Sequence, residues 1–466
     1  MAQRFKPLAL AATLLCAGAH AMTFQEALDA ARGNDAAYRS AGYEYDAAKI
    51  GVPIARAGLL PAVSLTASDS KIVGIRTFPN GLNQEVRVPL DYTAPQASLN
   101  LRVPIFNYES ISVYRQAKAQ SEVAEAVFRT QGLDLIERVT GAYLQTLLSE
   151  DVLRLSQAQV TSLETQAEQT QRRLDRGEGT KVQVAQTLGN LDVSRARVVE
   201  ARDQVDLARA KLAQVTGVPD ARATELPKQI EAEPLFPDRL GDWVDLALRD
   251  SPLLQARERN REVARQAVQR QKAGHLPRLD LVAGLAKQQN DSTTAIGQNT
   301  EVRSIGLQLT VPLYSGGGID AGIEQAQIRQ AQVEEQVRLE RDTILVDVQR
   351  YFQAVVNSEK KVSAYATALD STTLAEQGSR RALEIGVGTV GDLAIAQAAT
   401  FSAARDLSQS RIEGLLSRVR LMLQAGMSMH DVAEVVDRFL AGPGSPSKAA
   451  TTTTTASTPT VNTKQP

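Results

Sequence analysis

The strongest constraint on this sequence is that its second half repeats the plan of its first. Gly58-Leu59-Leu60-Pro61 returns as Gly274-His275-Leu276-Pro277, and Val103-Pro104-Ile105-Phe106 returns as Val311-Pro312-Leu313-Tyr314. Arg172-Arg173-Leu174 and Gly177-Glu178-Gly179-Thr180 return as Arg380-Arg381-Ala382 and Gly386-Val387-Gly388-Thr389. A chain duplicated at this scale repeats one supersecondary plan and buries its apolar faces between copies. Each copy reads helix, strand, strand, very long helix, Gly-Thr turn, helix. The first repeat occupies residues 22–217 and the second 241–442, joined by a proline-rich segment at 218–240. Residues 443–466 are Pro, Ser, Ala and a threonine run, a low-complexity tail with nothing to bury.

The strand segments alternate with period two. In Gln96 to Val103, Ala97, Leu99, Leu101 and Val103 oppose Gln96, Ser98, Asn100 and Arg102; in Ser304 to Val311, Ile305, Leu307, Leu309 and Val311 oppose Ser304, Gly306, Gln308 and Thr310. Weaker segments precede them at Val63 to Ser68 and Arg278 to Lys287. Strands of about 10 residues with one apolar and one polar face suit an outer-membrane barrel, lipid outside and water within. A half-buried strand of a water-soluble sheet shows the same alternation. Four such strands cannot close a sheet by themselves, and an open edge in lipid leaves backbone groups unpaired. Closure therefore needs strands from several copies.

Between the strands and the turns lie the helical stretches Glu109 to Arg176 and Gly318 to Ile385. At 1.5 Å per residue each reaches about 100 Å. Val160, Leu163, Ala167, Thr170 and Leu174 step by three and four, as do Val362, Tyr365, Leu369 and Thr372. After the first turn, Leu191, Val198, Val205 and Leu212 repeat in heptads, with Ser194, Ala201, Ala208 and Val215 completing the seam. Such heptads make each helix pack along a partner over its length.

Residues 1–21 open with Arg4 and Lys6, continue through an apolar run and end in Ala19-His20-Ala21, the pattern of a cleaved secretory signal peptide. Cys16 lacks the leucine three places before it and the small residue just before it that lipid attachment requires. Loss of the leader takes 52 basic and 53 acidic residues to 50 and 53, a net charge of -3. That balance offers no cationic face for nucleic acid. The sole cysteine leaves with the leader, so a disulfide framework and a thiol nucleophile are excluded. His275 and His430 alone make no usual zinc site, and Ser315-Gly316-Gly317-Gly318-Ile319-Asp320 lacks the Gly-Lys-Ser/Thr ending of a phosphate loop. No catalytic constellation is present, and the expectation is a protein that is not an enzyme. What does stand out is charge at the turns. Arg172, Arg173, Asp175, Arg176, Glu178 and Lys181 surround the first; Arg380, Arg381, Glu384 and Asp392 surround the second.

From Thr23-Phe24-Gln25-Glu26-Ala27-Leu28 to about Gly426 the chain resembles the TolC family of outer-membrane efflux and type I secretion channels. The marks are the Leu-Pro ahead of the strands, the Val-Pro-Leu-Tyr-Ser-Gly-Gly joint at 311–317, the Gly-x-Gly-Thr tips and the duplication. The resemblance implies an α+β membrane protein: a homotrimer whose four strands per subunit complete a twelve-stranded barrel in outer-membrane lipid, continued by a coiled-coil helical tunnel through the periplasm. It implies no cofactor. Its partners would be a periplasmic membrane-fusion adaptor and an inner-membrane ABC or proton-driven transporter. The adaptor-docking motif falls on Gly179, Thr180, Val387, Gly388 and Thr389. The family's constricting aspartate, six residues after the tip glycine, is replaced here by Ala185 and Ala394, so Arg176, Glu178, Lys181 and Asp392 become the gate candidates. Cargo is left open between an exported polypeptide and small compounds. The rival reading is a periplasmic coiled-coil adaptor or structural protein that never spans the membrane.

Overall fold

The computed structural model describes residues 21–224, 234–290 and 298–441. The leader, Ala21 apart, and the tail at 443–466 lie outside the described residues, as does 225–233 of the joining segment. In chain order the elements of the first half are β1 (Ala21–Met22), α1 (Phe24–Asn34), α2 (Ala36–Ala57), β2 (Ala62–Pro79), β3 (Glu85–Phe106), α3 (Tyr108–Asp175) and α4 (Lys181–Thr216). After β4 (Arg222–Ala223) follow α5 (Leu240–Asp250), α6 (Pro252–Lys272), a 3-10 turn at Ala273–His275, β5 (Arg278–Asn290), β6 (Gln298–Thr310), α7 (Gly318–Glu384), α8 (Val390–Gln424) and α9 (Met429–Ala441).

Two expectations need correction. Each half opens with two helices rather than one, because Asp35 and Ser251 leave helical geometry, with ψ of 116° and 118°. Their side chains accept the backbone N–H of Tyr38 and Leu254 and so start a new helix, the second reinforced by Pro252 in its first turn. The first strand pair is also far longer than the expected 10 or so residues, with 18 in β2 and 22 in β3. Single-face alternation ends at Asp69 and Lys71; beyond them Ile72, Phe78, Val86, Val88 and Leu90 stand on the opposite face, while Val73 and Ile75 stay on the first. Pro89, Pro95 and Pro104 further disguise β3, since proline removes a ladder donor.

The four long strands form one antiparallel sheet in the order β2-β3-β5-β6. Its register puts Leu65, Leu99 and Leu285 side by side, and Leu281 beside Leu307. This apolar face is open, with Leu65 73% and Ile305 78% exposed. Ser64, Thr66, Ser68, Ser98, Asn100 and Gln308 occupy the other face. At the foot of that face Asp280 is buried; Arg102 donates to its carboxylate, and Arg278 lies 3.4 Å from it.

The helices continue the strand order. α2 packs on α3, α3 on α6, and α6 on α7, while α4 and α8 return along α3 and α7. On α4 the buried residues include Leu191, Ser194, Val198, Ala201, Val205, Ala208 and Leu212, the heptad seam read from sequence, with Thr216 rather than Val215 ending it. The largest core lies at the waist of the helices, where Phe24, Leu28, Leu135, Tyr143, Trp243, Val419 and Val436 meet. Phe24 meets Tyr143 edge to face at 5.7 Å, and Tyr143 Oη donates to Met22 O at 2.8 Å. Trp243 Nε1 donates to Pro237 O at 2.8 Å. Both polar handles of these buried aromatics are thus satisfied. Among the described residues no helix is long and apolar enough to cross a membrane.

Candidate functional site at the hairpin tips

Both Gly-Thr turns are built the same way. α3 ends with Gly177 at φ 78°, and α7 with Gly386 at φ 82°, conformations that glycine alone adopts without strain. Glu178 N donates to Arg173 O at 2.8 Å and Gly177 N to Leu174 O at 2.9 Å. Val387 N donates to Ala382 O at 3.0 Å and Gly386 N to Leu383 O at 3.3 Å. These are Schellman closures, which satisfy the last carbonyls of each long helix. The next glycine then folds back onto its own helix end. A Cβ on Gly179 would sit 3.1 Å from Leu174 N, and one on Gly388 would sit 3.0 Å from both Ala382 C and Leu383 N. Thr180 and Thr389 start α4 and α8 as N-caps, each within a capping box completed by Gln183 or Asp392.

The sequence-read residues thus carry defined structural work. Gly179 and Gly388 permit the close return, Thr180 and Thr389 cap, and Val387 closes the second Schellman turn while its side chain stays 77% exposed. Asp392 accepts from Thr389 Oγ1 at 2.7 Å and from Thr389 N at 3.1 Å. Those bonds, the hydroxyl's first, hold its carboxyl below the usual carboxylate range. Arg176 lies 3.6 Å from Glu178, and both are well exposed, as is Lys181 in the first turn of α4.

The two tips lie side by side. Arg173 Nη1 donates to Leu383 O at 2.8 Å, a cation set on the negative end of α7. Ser162 Oγ accepts from Arg380 at 3.2 Å and from Gln397 at 3.3 Å, tying α3 to both strokes of the second hairpin. Between the tips opens a cleft of about 320 Å³, lined by Arg172, Arg173, Arg176, Arg380, Glu178 and Glu384 among others. On its wall Gln166 and Gln397 are buried, and their Oε1 atoms have no hydrogen-bond partner among the described residues. Sequence reasoning missed Ser162, Gln166 and Gln397. Between Leu163 and Thr170 the sequence reading put Ala167 on the seam; the structure buries its neighbour Gln166 instead and leaves Ala167 half-buried, and a polar side chain at a seam position fixes register.

The family model for outer membrane efflux proteins matches residues 27–218 and 243–426. The chain belongs to the TolC family of outer membrane efflux proteins. It is an outer-membrane channel and not an enzyme, and the adaptor reading is set aside. Alkaline protease secretion protein AprF of Pseudomonas aeruginosa is 32% identical over 438 residues, covering 92% of this chain and 90% of that protein. Proteases secretion protein PrtF of Dickeya chrysanthemi is 29% identical, covering 91% and 93%. The CmeC outer membrane channel of Campylobacter jejuni superposes with a TM-score of 0.76 at 16% identity, over 89% of each chain, a likeness of fold.

Proposed function

We propose that three copies close into a ring, the sheets forming a twelve-stranded barrel in the outer membrane and the helices a periplasmic tunnel, through which cargo leaves passively. The carrying observation is a pair of unlike open flanks on one subunit. One flank is the β2 edge with α2, where Tyr43, Ile50 and Ile54 are exposed; the other is the β6 edge with α7, where Ile328, Leu339 and Val346 are exposed. Unlike flanks associate head to tail, and such contacts close into rings when the rotation permits. The polar sheet face would then line a wet bore.

The tips would dock a periplasmic membrane-fusion adaptor through Gly179, Thr180, Val387, Gly388 and Thr389. That adaptor couples the channel to an inner-membrane ABC or proton-driven pump, which supplies the energy. The unpartnered amide oxygens of Gln166 and Gln397 give the cleft acceptors for donors that a partner brings. Arg176, Glu178, Lys181 and Asp392 would rim the entrance. Similarity to two proteins named for protease secretion favours an exported polypeptide as cargo, handed over in one step by an ABC exporter.

The test is replacement of Gly388 or Gly179 by valine in cells that supply the pump, the adaptor and a secreted polypeptide. Export is expected to cease while trimers persist in the outer membrane, with Gly388→Val the more severe because its Cβ meets backbone more closely. Undiminished export by both variants would sink the docking assignment.

A further inference from the structure

The first strand pair carries a feature that neither the bore nor the tips use. β2 and β3 pair without a break from Ala62 opposite Arg102 to Pro79 opposite Glu85. Among the described residues, β3 pairs with β5 only as far as Gln96 opposite Gln288. Residues 69–79 and 85–95 therefore stand beyond the four-stranded sheet as a two-stranded ribbon, about 36 Å long at roughly 3.3 Å per residue. Charges mark where it leaves the apolar band: on that face Leu65, Ala97, Leu285 and Ile305 give way to Asp69, Lys71, Lys287 and Arg303. Lys71 pairs with Asp91 at 3.3 Å.

Beyond this belt the polarity of the faces changes. Ile72 lies opposite Tyr92, Gly74 opposite Leu90, Arg76 opposite Val88 and Phe78 opposite Val86. With no register shift, this largely apolar face is the continuation of the face that carries Ser64, Ser68 and Asn100 below. The other face holds Asp69, Lys71, Glu85, Arg87 and Asp91, with Val73 and Ile75 as its large apolar members. The ribbon ends in a built turn. Asn80 Oδ1 accepts from Leu82 N at 3.0 Å and from Gln84 N at 2.9 Å, and Asn83 takes φ 61°. At its crown Leu82 is 80% exposed.

An isolated two-stranded hairpin is marginal in water and needs a surface to pack on. The strand below the ribbon is β2, the edge on which a ring of copies would close, so each ribbon rises at a subunit boundary. A twelve-stranded ring with strands about 4.8 Å apart and tilted by about 40° has a radius of about 12 Å. The ribbon exceeds that reach, and the strong coiling of two-stranded ribbons lets it bend over the mouth with its pairing kept. We propose that the ribbons of three copies fold across the outer mouth and pack their apolar faces and Leu82 crowns against one another, forming a hydrophobic lid. The lid rests on the ring reading above. An apolar constriction of this kind bars water and ions by dewetting.

The only cysteine of the sequence is Cys16, in the leader, so engineered thiols report cleanly. Full-length Leu82→Cys and Thr77→Cys proteins are assembled in cells and treated with a short bis-maleimide, and their trimeric state is checked by native mass. Leu82→Cys is expected to yield covalent dimers, and Thr77→Cys, on the charged face, to yield none. In planar bilayers Leu90→Ser combined with Tyr92→Ser is expected to roughly double the single-channel conductance as the constriction wets. A trimeric Leu82→Cys protein that does not cross-link, or unchanged conductance, overturns the lid and leaves the ring standing. Absence of trimers in the unmodified protein overturns the ring and the lid with it.

Discussion

Set side by side, the helices of the two halves agree almost residue for residue: 11 and 11 in α1 and α5, 22 and 21 in α2 and α6, 68 and 67 in α3 and α7, 36 and 35 in α4 and α8. Among the described residues the strand pairs do not, with 18 and 22 residues in the first half against 13 and 13 in the second. The helices have no freedom because both tips must arrive at one level for Arg173 to reach Leu383 O. The strands share only the stretch that forms the apolar band, and above the charged belt nothing fixes their length. Two further asymmetries separate the halves: the capping partner differs between the tips, Gln183 in one and Asp392 in the other, and α9 has no counterpart after α4 among the described residues.

The largest effect should come from testing that belt. Leu99 lies in the band between Leu65 and Leu285. Leu99→Arg is expected to cost about 2–4 kcal/mol, the range for a cation facing lipid at mid-depth, and to abolish outer-membrane assembly. Ile75, 71% exposed above the belt, should accept arginine at a cost within about 0.5 kcal/mol, as surface sites do. Heat-modifiable trimer in outer-membrane fractions reads both. Equal damage at the two positions would mean that the band extends through the ribbon and that the halves differ for another reason.

The contrast also explains what could be read in advance. α3, α7 and the α4 seam were legible where a three-four or heptad step holds, over Val160 to Leu174, Val362 to Thr372 and Leu191 to Leu212. The Gly-Thr tips were legible as a repeated motif, although their geometry gives them capping roles that the motif alone does not state. The ribbon was hidden because Asp69 and Lys71 interrupt the alternation and apolar residues then stand on both faces, Ile72 and Phe78 on one and Val73 and Ile75 on the other, which a period-two search does not join. The break at Asp35 was hidden because a single capping side chain, rather than proline or glycine, ends one helix and begins the next. Ser162 and Gln397 meet across α3 and α8, more than two hundred residues apart in sequence, and no local pattern joins them.

The tips offer a finer comparison. Thr180→Ala removes an N-cap and should destabilise the first turn of α4 by about 1 kcal/mol. In the second tip the cap depends on a titrating group. The Asp392 carboxyl is held below its unfolded value by Thr389, so its contribution is complete above the ordinary carboxylate range and is lost as pH falls through the lowered folded value. Gln183, its counterpart, does not titrate. Between pH 5 and pH 3, amide hydrogen exchange at the start of α8 should therefore accelerate relative to the start of α4, and Asp392→Gln should abolish the difference. Parallel behaviour of the two tips at every pH would show that the carboxylate adds nothing to the cap.

The smallest effect belongs to α9. Val432, Ala433 and Val436 are buried against the waist core, and Asp437 beside them is half-buried. Burial pushes its carboxyl up to about 6, against the pull of the Gln25 N–H that donates to it. With the folded value above the unfolded one, the native state holds a proton that the unfolded chain has released, so stability falls as pH rises between about 4 and 6. Above that window the buried charge is a standing cost, of order 1 kcal/mol or less once solvent screening of a half-exposed group is allowed for. Asp437→Asn keeps an acceptor for Gln25 and removes the charge. It should raise the thermal midpoint at pH 7.5 by about 1–2 °C, and the gain should vanish by pH 4, where both proteins are neutral at this site. Glu434→Gln, one turn away and paired with Arg438 at 3.0 Å on the exposed face, should show no such gain. If the gain from Asp437→Asn survived at pH 4, its origin would lie in how asparagine packs against α1 and not in the charge. The second half's extra helix would then be held by shape alone, without a pH-dependent term.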